Sequence, residues 1–247
     1  MTDPTDPTDP TGVPRIEVTV AASPEVVWQA LRDPELIRRW HGWDMPDGGL
    51  AEEVRVIYKT GVTEDPDALV LEISGGDRFS LHPADGGTVV RVTRAPRGTN
   101  PDWAAYYDDI TEGWRTFLEQ LRFAVERHGL AERRTVILEG QLAGPRSLVE
   151  ALGLSEVVGL APGARYRAAA ATGEELAGQV WARSPHQLTL TVDGVGDGLL
   201  VLAEQPATEH RPEGGALLVL TTYGLDDAEF DKVRERWSQW WAAQRRG

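Results

Sequence analysis

The sequence predicts an α+β fold in which an antiparallel sheet is covered by one long helix, an arrangement laid out twice along the chain. Three observations carry this. Between Asn100 and His128, the apolar residues Trp103, Tyr107, Ile110, Trp114, Phe117, Leu121 and Val125 recur in steps of three and four, the spacing of one helix face. Between Glu53 and Arg94 the pattern has period two, and its connections are too short for the crossovers that parallel strands need. The layout then returns in the second half of the chain.

Taken in order, Met1 to Gly12 repeats Thr-Asp-Pro with nothing apolar to bury, so residues 1–13 read as a disordered acidic tail. Ile16 to Val20 alternates like a half-buried strand. Ser23-Pro24-Glu25 opens a short helix whose buried side is Val27, Trp28 and Leu31, and Asp33-Pro34 ends it. Leu36 to Trp40 is a second short helical piece. A meander follows, with Val54, Val56 and Tyr58 on one strand and Leu69, Leu71 and Ile73 on the next. Phe79 and Leu81, then Val90 and Val92, complete it. Gly75-Gly76-Asp77 and Asp85-Gly86-Gly87 mark its hairpin turns. The long helix starts at Asn100 as N-cap before Pro101 and stops at Gly129.

The second half repeats the outline. Thr135 to Gln141 is a strand, and Pro145 to Leu152 can be laid over Pro24 to Leu31. Strands are expected at Leu176 to Arg183, Leu188 to Val192, Leu199 to Ala203 and Leu217 to Thr221. A final helix begins at Asp226, with Glu229 completing a capping box and Phe230, Val233, Trp237 and Trp240 or Trp241 on its inner face. The expected domains are 14–130 and a diverged copy, 131–247.

Three segments in the first half carry a family resemblance. Ser23 to Trp28, Ala30 to Trp40 and Glu112 to Leu121 occur in the order and spacing of the START-like (SRPBCC) superfamily. They most resemble the branch of the activator of the heat-shock-protein-90 ATPase. The resemblance implies a helix-grip fold, with a curved sheet wrapped around the long helix and an apolar cavity between them. In relatives that cavity carries lipids, sterols or polyketides, or serves cyclisation; others act through protein contacts.

Composition limits the partners. The 247 residues are 41% hydrophobic and 26% charged, enough for two ordinary cores. There is no cysteine to form a disulfide or a thiolate metal site, which suits the cytoplasm. No apolar run is long enough for membrane insertion. A net charge of -14 argues against a nucleic-acid partner.

The candidate chemistry is sparse. His41, His82, His128, His186 and His210 show no metal-ligand spacing, so neither metal nor cofactor is expected. His41, next to Trp40 and close to Trp43, Asp44 and Met45, reads as a partly exposed loop histidine, with a polar group at the mouth of a pocket as the alternative. Arg91 and Arg94 point to opposite faces of one strand. The one facing the helix needs a carboxylate, a ligand anion or water at the sheet's open end. Asp193 to Gly198 reads as a hairpin, not a phosphate loop, because it has no lysine. The expected ligand-binding residues are Trp43, Met45, Arg94, Tyr107, Ile110, Trp114 and Phe117. The expected function is binding of a small apolar or aromatic molecule in the first domain. The alternatives are a protein-interaction module modulating a chaperone or other ATPase, and a cyclase- or hydrolase-type enzyme. The absence of a catalytic constellation weighs against the enzyme.

Overall fold

The computed structural model describes residues 12–44, 48–99 and 101–246. The Thr-Asp-Pro tail up to Thr11, Met45 and the expected cap Asn100 lie outside the described residues. The chain falls into two compact units, 1–131 and 132–247. Each pairs a curved antiparallel sheet with a long helix, the helix-grip (START-like) architecture twice over.

The first unit runs β1 (Arg15–Val20), α1 (Pro24–Arg32), α2 (Pro34–Ile37), α3 (Gly49–Lys59), β2 (Thr63–Asp65), β3 (Val70–Glu72), β4 (Arg78–Ala84), β5 (Gly87–Thr93) and α4 (Tyr107–His128). Its strands pair in the order β1-β5-β4-β3-β2. Period two does its work in β1 and β5: Ile16, Val18 and Val20 are buried, as are Thr88, Val90 and Val92. Ile16 pairs with Val92 and Val18 with Val90, so both strands turn the same face to the core. On that core lie Trp114, Leu118, Leu121 and Ala124 of α4. Trp40 is wholly buried and donates its indole N–H to Ala30 O at 2.9 Å, tying the chain after α2 to α1.

Two expectations need correction. Residues 54–58, expected as a strand, belong to α3. Leu50, Val54 and Tyr58 are buried at intervals of four, Ile57 packs beside them, and Val56 is 42% exposed. The apparent alternation sampled a helical stripe, and burial of that stripe outweighs the strand preference of the valines and isoleucine. The long helix also starts later than expected. Pro101–Tyr106 is a 3-10 turn, α4 proper begins at Tyr107, and Trp103 is 56% exposed instead of continuing the buried stripe. Gly129 ends α4 in the left-handed conformation, at φ 55°.

The second unit contains β6 (Arg133–Gly140), α5 (Leu148–Ala151), β7 (Arg165–Ala169), β8 (Glu175–Arg183), β9 (Gln187–Val192), β10 (Gly198–Gln205), β11 (Gly215–Tyr223) and α6 (Asp227–Gln244). The order is β6-β11-β10-β9-β8-β7. Capping boxes at Ser147/Glu150 and Asp226/Glu229 start α5 and α6. Phe230, Trp237, Trp240 and Trp241 are buried, and Asp193 to Gly198 forms the β9–β10 turn. The edge strand β7 escaped the sequence reading because only Tyr166 among its residues is buried.

Candidate functional site

In the first unit a cavity of about 570 Å³ lies between α4, α3, the β3–β4 turn and the segment that follows β5. Tyr107, Ile110, Gly113, Trp114 and Phe117 form its helical wall. Opposite stand His41 and Trp43, the α3 residues Glu52, Glu53, Val56 and Ile57, the turn from Ile73 to Asp77, and Arg94 with the segment after it. Of the seven expected site residues, Trp43, Arg94, Tyr107, Ile110, Trp114 and Phe117 lie on this one surface, and Met45 is outside the described residues. The helix α3, expected as a strand, supplies a whole wall.

Two polar clusters interrupt the aromatic lining. The first is built on Asp77. Gly75 and Gly76 take φ of 90° and 88°, open to glycine at no steric cost, and so turn the chain and carry Asp77 inward. Its Oδ1 accepts from Arg94 Nε at 2.9 Å and from the Ala95 backbone N–H at 2.8 Å. Its Oδ2 accepts from Trp114 Nε1 at 2.7 Å. Arg94 also donates through Nη1 to Thr111 Oγ1 at 2.6 Å and to Tyr107 O at 3.1 Å. Its side chain is only 5% exposed, and Nη2 has no partner among the described residues. The Arg94 guanidinium lies 4.4 Å from the Tyr107 ring centre. Burial raises the Tyr107 phenol above its ordinary range, while Arg94 pulls the other way.

Sequence left open where Arg94 points; it faces α4 and finds a carboxylate. Arg91 pairs with Glu17 in a half-exposed position. Asp77 itself was missed. An aspartate after two glycines is the ordinary chemistry of a turn, and nothing in that pattern marks it as a buried ligand of arginine.

The second cluster corrects the reading of His41. Far from being partly exposed, it is wholly buried. Its ring lies 4.4 Å from Phe117 and 5.1 Å from Tyr58, centre to centre. Nδ1 is 3.0 Å from Tyr58 Oη and Nε2 is 3.2 Å from Glu53 Oε1. Gly42 follows at φ 64°, where a side chain is strained and a Cβ would come within 2.6 Å of Leu50 Cδ1, so glycine eases the turn that folds His41 under α3. Burial, and then the charges of Glu53 and Asp77, raise the Tyr58 phenol well above its ordinary range. The Tyr58 phenol is therefore neutral at neutral pH. Among the described residues, no group of three His, Cys, Asp or Glu is placed to hold a metal ion. No helix among them is long and apolar enough to cross a membrane.

No protein-family profile and no curated protein matches the sequence. Three solved structures are similar to nearly the whole chain. DynU16, described as a putative protein in the dynemicin biosynthetic locus, is 16% identical, with 93% of this chain and 94% of that chain covered and a TM-score of 0.32. The di-domain ARO/CYC BexL from the BE-7585A biosynthetic pathway is 14% identical, with 91% and 93% covered and a TM-score of 0.36. The di-domain ARO/CYC StfQ from the steffimycin biosynthetic pathway is 11% identical, with 93% and 94% covered and a TM-score of 0.35. Two of the three are named ARO/CYC, where the sequence reading leans away from an enzyme.

Proposed function

We propose that the first unit takes up a small aromatic molecule bearing a carbonyl or carboxylate oxygen and acts on it as a cyclase-type enzyme. The observation that carries this reading is Arg94: a buried guanidinium, fixed on one side by Asp77 and Thr111, with no partner for Nη2 among the described residues, at the wall of a cavity rich in aromatic side chains. A charged donor whose side chain is only 5% exposed stabilises negative charge on oxygen better than a water-exposed arginine does. Ring closure of a polyketone is an intramolecular aldol reaction. A C–H beside a carbonyl loses its proton, the enolate carbon attacks a second carbonyl, and water leaves. Arg94 Nη2 would hold the oxygen that becomes the enolate. Trp43, Tyr107, Ile110, Trp114 and Phe117 would hold the chain folded by contact area alone.

Quenching of tryptophan fluorescence by 2-naphthoate and 2-naphthol tests the binding half. The wild type should bind both, and Arg94→Lys, which keeps charge but loses the planar fork, should weaken naphthoate by about tenfold or more and naphthol little. Turnover is read by mass spectrometry, as loss of one water from an aryl-substituted 1,5-diketone. Native mass spectrometry of the purified protein would show any small molecule that travels with it. Failure of both probes to bind would overturn the reading. A protein-interaction module, as the resemblance to the heat-shock-protein-90 activator branch implies, would then lead. It draws support from Val56, Trp103 and Tyr106, exposed apolar residues that share the cavity's rim.

A further inference from the structure

An enolising site needs a base as well as an oxygen anchor, and α3 brings two carboxylates to the cavity. They are not equivalent. Glu52 is committed to Arg55, which donates to both of its oxygens, at 2.8 and 2.5 Å. Glu53 has one oxygen, Oε1, set against His41 Nε2 at 3.2 Å, and Oε2 has no partner among the described residues. Its side chain is 38% exposed, at the cavity wall, whereas the histidine behind it is closed off from solvent. Tyr58 stands on the far side of that histidine, 3.0 Å from Nδ1. Where the Tyr58 phenol donates to Nδ1, the imidazole carries its proton on Nε2 and donates to Glu53. The order Tyr58–His41–Glu53 thus fixes the carboxylate's orientation from a rigid, buried support and leaves its second oxygen for a substrate.

We infer that Glu53 is the general base of the cavity, abstracting a proton from a carbon next to the carbonyl that Arg94 holds, with His41 and Tyr58 as positioning residues. The inference rests on the cavity reading above. In the step, the C–H bond breaks and its proton moves to Glu53 Oε2. The electron pair forms the C=C bond of the enolate, and the carbonyl oxygen takes up the negative charge against Arg94. The protonated Glu53 can then return that proton to the alkoxide formed on ring closure.

The test uses 2-tetralone, an aromatic ketone with acidic C–H groups, in deuterated buffer with the full chain. Exchange at its C1 position is followed by NMR, and binding is followed independently by tryptophan quenching. The wild type should accelerate exchange by about a hundredfold or more over buffer. Glu53→Gln should bind the ketone as the wild type does and return exchange to near background. Tyr58→Phe keeps the ring and removes only the hydroxyl; it should leave binding in place and move the pH at which exchange is half-maximal. A phenol that merely packs would leave that midpoint where it is. Binding with exchange at the buffer rate overturns this inference and leaves the cavity reading standing. So does undiminished exchange in Glu53→Gln. Absence of ketone binding overturns both.

Discussion

Trp114, on the long helix of the first unit, donates its indole N–H to the Asp77 carboxylate at 2.7 Å. The second unit has a tie of the same kind: Trp237 on α6 donates to Glu174 Oε2 at 2.9 Å. The two acids sit in turns that are not counterparts, β3–β4 for Asp77 and β7–β8 for Glu174. Their other partners differ as well. Glu174 takes Arg236, nearly half exposed, whereas Asp77 takes the buried Arg94. One tie is finished at the surface; the other leaves a charge at a cavity wall.

Substituting Trp114 separates packing from polarity. Its ring makes edge contacts with Phe79 at 5.3 Å and with Phe117 at 5.8 Å and also borders the cavity, so Trp114→Ala should cost about 3 kcal/mol in urea unfolding, the low end for a buried tryptophan. Trp114→Phe keeps much of that packing and orphans Asp77 Oδ2, and should cost about 1 to 3 kcal/mol. Pairing Trp114→Phe with Asp77→Asn should then cost less than the two single changes added together. Strict additivity would show that the hydrogen bond contributes nothing.

Much of the frame was legible in the sequence because it depends on local signals. Asp226 with Glu229 announces α6, and Ile16 to Val20 shows one clean face. The helical wall of the cavity followed from the spacing of Tyr107, Ile110, Trp114 and Phe117. What escaped depends on tertiary burial. Val54 and Tyr58 satisfy a strand's period and a helix's period alike, so α3 was misread and Glu53 lost its place in the site. His41 looks like any loop histidine until α3 is laid over it. Asp77 and Arg94 are distant enough in sequence that only the closed β3–β4 turn reveals them as a pair.

The alkaline limb of stability should belong to buried tyrosines. Burial pushes Tyr223 up to about 12, and Tyr58 and Tyr166 are raised too. In the unfolded chain these phenols ionise near their ordinary value of about 10. Above that pH the unfolded state has released protons that the folded state still holds, so stability falls as pH rises. The contribution is intact below about pH 10 and lost progressively toward the folded values. For Tyr223 the loss between pH 8 and pH 11 should be about 1 kcal/mol. Urea unfolding at both pH values should show Tyr223→Phe losing less than the wild type. An equal loss would assign the alkaline limb to other groups.

The first unit should fold on its own. Its core lies within Ile16 to Leu130, and the core of the second within Val136 to Trp241. A fragment from Val13 to Ala131 contains every strand of one sheet together with its helix. It is long enough to close a core. Cooperative urea unfolding and slow amide exchange in β5 and α4 are expected. A fragment with neither would mean that the two units fold only as one.

Gly113 allows stability and uptake to be moved in opposite directions. It stands inside α4 at the cavity wall, with ordinary helical backbone, and a Cβ added there meets only Phe117 Cε2, at 3.7 Å. A glycine within a helix costs about 1 kcal/mol relative to alanine, mostly in backbone entropy. Gly113→Ala should therefore raise stability by up to about 1 kcal/mol, because the methyl enters open space without displacing a neighbour. Gly113→Leu sends a larger side chain into the same space and should sharply reduce quenching by 2-naphthoate while the protein stays folded. Residues that merely support the site would lower stability and binding together when changed; here stability should hold or rise while binding falls. If Gly113→Leu takes up naphthoate as the wild type does, the probe is bound elsewhere, and the wall formed by Ile110, Trp114 and Phe117 is not where small molecules enter.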